Sequence, residues 1–185
     1  MKYVYHGSNV SNLDVIKPNK STHMKEYVYA TPSKAIATIF LSKKGNDLYY
    51  YLSGDGINSK VVLVERKEGM FKEIFNRGGY IYKLDATNFK SGLTSWSAEV
   101  VSDREEKVLS KKYIKNVYNE LLKLNDKGLI DLYLYPSRPS NVPNDNSDLI
   151  PKVTRWYKNG FNIKLFKLLY PELTHKLLCE INNIE

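Results

Sequence analysis

Apolar and polar positions change period several times along the chain. Residues 2–5, "KYVY", alternate as a strand does and run into Gly7, and residues 26–31, "EYVYAT", repeat the pattern. Thr31-Pro32 then reads as a helix start, with Thr31 as N-cap and Pro32 at the first helical position. The helix expected over residues 33–42 puts Ile36, Ile39 and Phe40 on one face. Between the two strands, residues 11–19 read as a loop anchored by Leu13, Val15 and Ile16. Residues 47–53 and 60–66 read as paired strands joined by "GDGINS", whose glycines suit a hairpin loop. A short helix over 69–75 stops at "NRGG", and strands follow at 80–85 and in "AEVVS", 98–102. The stretch 107–126 begins extended and turns helical near Val117. After Gly128 a Pro-, Ser- and Asn-rich stretch reads as a long loop. Two helices close the chain, one over 148–158 and one over 161–182 with a break at Pro171.

Strands far outnumber helices before residue 117, which argues for an α+β core rather than alternating βα winding. The expected plan is a mixed core over 1–117 and a helical C-terminal extension over 118–185 packed on it. Apolar residues make up 42% of the 185, with no run of the ~18 that a membrane span needs. Lys2 is not followed by the apolar stretch of a signal peptide, so a soluble, cytoplasmic protein with no membrane partner is expected. Cys179 is the single cysteine, which rules out an internal disulfide; in "HKLLCEI" it reads as a small buried hydrophobe. The net charge of +8 favours acidic partners, yet the lysines are scattered and form no basic block. His6, His23 and His175 lack metal-ligand spacing; His175 and Cys179 share a helix face, but two ligands do not make a zinc site. No phosphate-binding loop, dinucleotide fingerprint or serine-hydrolase elbow is present.

Three features carry chemistry. His6-Gly7-Ser8 ends the first strand, where glycine lets the backbone approach a flat ligand and imidazole can bond a ribose hydroxyl. Tyr27 and Tyr29 point to one face of the second strand and offer an aromatic surface for a heteroaromatic ring. Glu99 brings a carboxylate into an apolar strand segment, where acids are uncommon. Each feature alone has a plainer reading: a turn, a packed aromatic face, an edge carboxylate.

Taken in order, "YHGS", "YVYATPSKAIATIF" and "AEVVS" resemble the ADP-ribosyltransferase superfamily. The similarity is to its diphtheria-toxin and poly-ADP-ribose-polymerase branch, whose signature is His, Tyr and Glu on three core strands. It covers residues 3–117 and is closest in look to small bacterial and phage members. The resemblance implies a split mixed β-sheet core that binds NAD as a substrate. It implies that His6 holds the adenosine ribose, that the Gly7 backbone pairs with the nicotinamide amide and that Ser8 helps hold that amide. The stacking tyrosine is Tyr29 if "VYA" is the anchor, the preferred register, or Tyr27 if the strand shifts by two. Glu99 matches the glutamate that bonds the nicotinamide ribose. The second aromatic of the ring clamp falls at Phe40, or at Thr38, which would leave the clamp one-sided.

The implied activity is NAD-dependent transfer of a single ADP-ribose to an unknown acceptor, protein or nucleic acid. "SAE" before the strand lacks the acidic pattern of the arginine-modifying branch, which disfavours arginine as acceptor. RNA 2′-phosphotransferase chemistry on the same fold is disfavoured, because His6 and His23 are the only core histidines. The alternative is an inactive module of this fold that binds NAD, ADP-ribose or nucleic acid.

Overall fold

The computed structural model describes residues 1–20, 25–42, 47–94 and 96–182. His23 therefore lies outside the described residues. The chain opens with β1 (Tyr3–Ser8), β2 (Val15–Ile16), β3 (Asn19–Lys20), β4 (Glu26–Ala30) and α1 (Lys34–Ile39). Next come β5 (Tyr50–Ser53), β6 (Val61–Glu65), α2 (Met70–Phe75), β7 (Gly79–Asp85), β8 (Lys90–Ser91), β9 (Val100–Ser102) and β10 (Glu106–Ile114). The remainder is α3 (Val117–Asp126), β11 (Ile130–Tyr133), α4 (Leu149–Lys158), α5 (Lys164–Leu169) and α6 (Pro171–Asn182). The architecture is mixed α+β, with sheets ordered β1-β7-β10-β2, β11-β6-β5 and β3-β4-β9-β8. Among the described residues no helix is long and apolar enough to cross a membrane.

Strand alternation sorts side chains into two cores. Val4 on β1, Leu84 and Tyr82 on β7, and Val28, Ala30 and Val100 on β4 and β9 close a smaller core between those strands. The opposite face of β7 and β10 puts Ile81 and Ile114 into the larger core, which takes in α1 to α6. Helix α1 is short but buries Ala35 through Ile39, so tertiary packing rather than length sustains it.

Several expectations shift once strands pair. Thr31 does not cap α1: its backbone N–H and C=O are both bonded to Tyr5, so the chain is still extended there. Ser33 is the N-cap instead, its Oγ accepting from the Ile36 N–H at 3.3 Å, while Thr31 Oγ1 accepts from the Ser33 N–H at 3.1 Å. Glu99 is not on a strand; β9 begins one residue later, at Val100. Cys179 is exposed, because α6 buries the stripe Leu173, Leu177 and Ile181, four residues apart, and Cys179 falls off it.

The C-terminal third is not purely helical and does not keep its own core. Strand β11 pairs parallel to β6, with Ile130 opposite Val61, and α4 and α6 share the larger core with α1. The long loop after β11 is held by buried charge. The Arg66 guanidinium is fully buried and meets Asp148 through two bonds of 3.0 and 2.8 Å. Arg138 returns to the Arg66 carbonyl at 2.6 Å and to Asn146 at 2.7 Å. The buried Glu65 carboxylate accepts from the N–H groups of Phe71 and Tyr135. Unpaired buried charges are costly, so this network fixes where the loop returns to the fold.

Candidate functional site

The site is organised by the place where β1 and β4 part. Tyr5 and Thr31 exchange two backbone hydrogen bonds, of 2.7 and 2.9 Å, and this is one isolated bridge. In an antiparallel strand the N–H and C=O of residues two apart point to the same side. Gly7 therefore turns its N–H and C=O toward β4, as Tyr5 does, while remaining opposite Ile81 of β7. The Tyr5–Thr31 bridge is isolated, so no ladder between β1 and β4 continues from it to Gly7 and Tyr29. On β4 the matching residue is Tyr29, whose carbonyl faces β1. The His6 side chain meets that carbonyl, with Nδ1 at 2.7 Å.

A carbonyl oxygen only accepts, so His6 Nδ1 carries the proton and Nε2 is left as an acceptor. Burial pushes the His6 pKa below its ordinary value, against the smaller opposing effect of the bond to Tyr29. The imidazole is held neutral, as a donor toward the fold and an acceptor away from it.

Gly7 also has a packing reason to be glycine. A Cβ there would fall inside contact distance of the Ala37 carbonyl oxygen, so α1 lies directly on the strand at this point. From Ala37 the helix leads to Phe40, 38% exposed, whose ring meets Trp96 edge-on at 5.5 Å. The Trp96 carbonyl accepts from the Glu99 N–H at 3.1 Å. Glu99 is half-buried and precedes Val100, which pairs with Ala30, the neighbour of Tyr29. The contacts thus close a ring: Gly7, α1, Phe40, Trp96, Glu99, β9, Tyr29, His6.

The fold brings His6, Gly7, Tyr29, Phe40 and Glu99 into this ring. Tyr27 lies farther from the parting, opposite Asn19 of β3, with its ring edge-on to Tyr29 at 6.0 Å. The Tyr29 hydroxyl donates to the Lys25 carbonyl at 3.0 Å, which lays the ring back along its own strand. Ser8 is used locally: its Oγ accepts from the Val10 N–H at 3.2 Å. Thr38 is buried and gives its hydroxyl to the Lys34 carbonyl, so Phe40, the C-cap of α1, is the residue that presents a ring. Trp96 is the member that sequence reasoning missed; its signal was its place three residues before Glu99 in "SWSAE". On α6, Cys179 Sγ lies 3.8 and 4.0 Å from the His175 ring nitrogens. Among the described residues no three His, Cys, Asp or Glu side chains gather to hold a metal.

Chemically, the parting offers one backbone donor and one backbone acceptor side by side, a pair that complements a primary carboxamide. Beside it stand an imidazole acceptor, a tyrosine and a carboxylate-bearing turn. The chain matches no protein-family model, no curated protein and no solved structure.

Proposed function

We propose that this chain is an NAD-dependent ADP-ribosyltransferase of the His-Tyr-Glu type, which cleaves the nicotinamide–ribose bond and passes one ADP-ribose to an acceptor. The observation that carries the reading is that the Gly7 N–H and C=O point past the isolated Tyr5–Thr31 bridge, beside a His6 ring anchored on the Tyr29 carbonyl. The Gly7 N–H suits the oxygen of the nicotinamide carboxamide, and the Gly7 carbonyl suits its NH₂. His6 Nε2 accepts from a hydroxyl of the adenosine ribose, in keeping with the tautomer that the Tyr29 carbonyl imposes. Tyr29 is preferred over Tyr27 as the stacking ring, because it stands at the parting itself. Phe40, backed by Trp96, supplies the second ring.

In this chemistry the bond from ribose C1′ to the nicotinamide nitrogen breaks, and its electron pair leaves with nicotinamide, neutralising the pyridinium. Positive charge builds on the ribose, as in glycoside hydrolysis. A Glu99 carboxylate that accepts from the 2′-hydroxyl opposes that charge more in the transition state than in the ground state. The acceptor then bonds to C1′ and gives up a proton.

The test is nicotinamide release from NAD by the purified chain, with Glu99→Gln alongside. The expected loss is about 10²–10³-fold in rate, the usual effect of removing one such electrostatic partner. Equal release by both proteins, or none from wild type with cell lysate supplied as acceptor source, overturns the reading. A second reading is an inactive module that binds NAD or ADP-ribose without cleaving it. The position of Glu99 in a turn rather than on a strand favours it. It predicts no release and a rise in Tm with NAD.

A further inference from the structure

One face of β1 and β7 gathers lysines, two of which, Lys34 and Lys83, have no carboxylate partner among the described residues. Tyr5 stands opposite Lys83, and Lys83 opposite Ser110 on β10. The Lys83 ammonium lies 3.5 Å from the centre of the Tyr3 ring, and the Lys2 ammonium lies 5.3 Å from the same ring. The Lys34 ammonium lies 5.1 Å from the Tyr5 ring. Among the described residues none of these three lysines has a salt-bridge partner. The carboxylate opposite Tyr3 is Asp85, which accepts from the N–H and hydroxyl of Thr87 and also faces the Lys2 charge, leaving Lys34 and Lys83 as the unmatched cations of the row. Farther along, Lys112 is paired with Glu120 at 2.7 Å. Beside the row a cleft of about 200 Å³ runs between the sheet, α1 and α3, with Ile81, Ile114 and Leu124 among its walls.

Two tyrosines hold three ammonium groups in place by cation–π contact, and each ammonium keeps further N–H donors for an anion. Like charges gathered this way repel until an anion joins them. Residues two apart on a strand repeat every ~6.6–6.8 Å, so Tyr3 and Tyr5 set the cations in a row rather than around one point. A row of cations on aromatic supports suits a linear polyanion. A 200 Å³ cleft is too small for a whole nucleotide ligand, since such pockets run to about 300–1,000 Å³. It is large enough for one phosphate of a strand lying along the face.

We propose that this face binds the phosphodiester backbone of single-stranded nucleic acid. The proposal stands whether or not the chain cleaves NAD, because the ammonium groups of Lys2, Lys34 and Lys83 lie on the Tyr3 and Tyr5 rings and not on Gly7, His6, Tyr29, Phe40 or Glu99.

The test is fluorescence anisotropy with a labelled oligo(dT) of about 12 nucleotides, within the ~4–16 that one such site covers. Affinity is measured from about 50 to 200 mM salt. Three phosphates neutralised on a single strand give a slope of log affinity against log salt of about −2. The variant Lys34→Glu/Lys83→Glu should bind at least about tenfold more weakly at low salt, with a slope flatter by about 1.4. Lys34→Gln/Lys83→Gln should flatten the slope equally with a smaller loss of affinity. The control Lys158→Glu/Lys164→Glu makes the same charge change on α4 and α5 and should bind as wild type does. Circular dichroism melting shows that each variant is folded. The proposal is overturned by an equal loss in the control, by no binding at about 50 mM salt, or by tighter binding of a duplex of the same length.

Discussion

Gly7→Ala is the sharpest single test of how the site is built. The added Cβ would sit under 3.0 Å from the Ala37 carbonyl oxygen, which belongs to the backbone of α1 and cannot rotate away. Helix and strand must separate, and overpacking of this kind costs about 1–3 kcal/mol. A clash with backbone falls in the upper half of that range, and replacing glycine restricts the unfolded chain and returns about 0.4–1 kcal/mol, so a net loss of about 1–2.6 kcal/mol is expected. For a chain of this size each kcal/mol moves Tm by about 2–4 °C, giving a fall of about 2–10 °C. Gly79→Ala is the internal comparison. Its Cβ would meet Leu41 Cδ2 at 2.7 Å, the far end of a side chain that can change rotamer, so its fall should be smaller. Calorimetric or circular dichroism melting of both variants decides the matter. On the proposed function, displacing the Gly7 N–H and C=O should also raise KM for NAD in Gly7→Ala and not in Gly79→Ala. An unchanged Tm for Gly7→Ala, or a larger fall for Gly79→Ala, refutes the packing account.

Three further outcomes follow from particular contacts. The His6 pKa is lowered in the fold from its ordinary 6.5, chiefly by burial, so the unfolded chain binds the extra proton first. Stability from this group is complete above pH 6.5 and is lost as pH falls below it, so the gap in Tm between wild type and His6→Gln should narrow on acidification; a constant gap contradicts the assignment. Asp148→Ala leaves the fully buried Arg66 guanidinium without its carboxylate, and a loss of about 3–5 kcal/mol in urea unfolding is expected. A loss under about 1 kcal/mol would mean that the pair behaves as a surface one. Cys179 is exposed on α6, so a thiol reagent should label the native protein stoichiometrically without denaturant, and protection of the thiol would contradict that placement.

What the sequence determined by itself is local. Alternation marked β1 and β4, the glycines of "GDGINS" marked the hairpin between β5 and β6, and the change of period near Val117 marked the passage from β10 to α3. These features are settled by neighbours a few residues apart, so side-chain period and turn chemistry suffice to read them. The residue types of the candidate site were legible in the same way, as His6-Gly7, a tyrosine strand and Glu99, although Glu99 was read onto a strand that begins only at Val100. Their arrangement was not. Whether Thr31 caps a helix or pairs with Tyr5 depends on a strand that is 26 positions away, and the sequence around Thr31 suits both. That Gly7 is pressed by Ala37, that Trp96 meets Phe40 and holds the Glu99 turn, and that β11 joins β6 are facts about chain segments brought together from a distance. The same holds for lysines 2, 34 and 83, which look scattered along the chain yet converge on two tyrosines. Cys179 sits two residues from a buried leucine, and only the angle at which α6 meets the core decides which of the two is covered. Local preferences select elements, whereas packing density and the need to pair every buried polar group select the partners those elements meet.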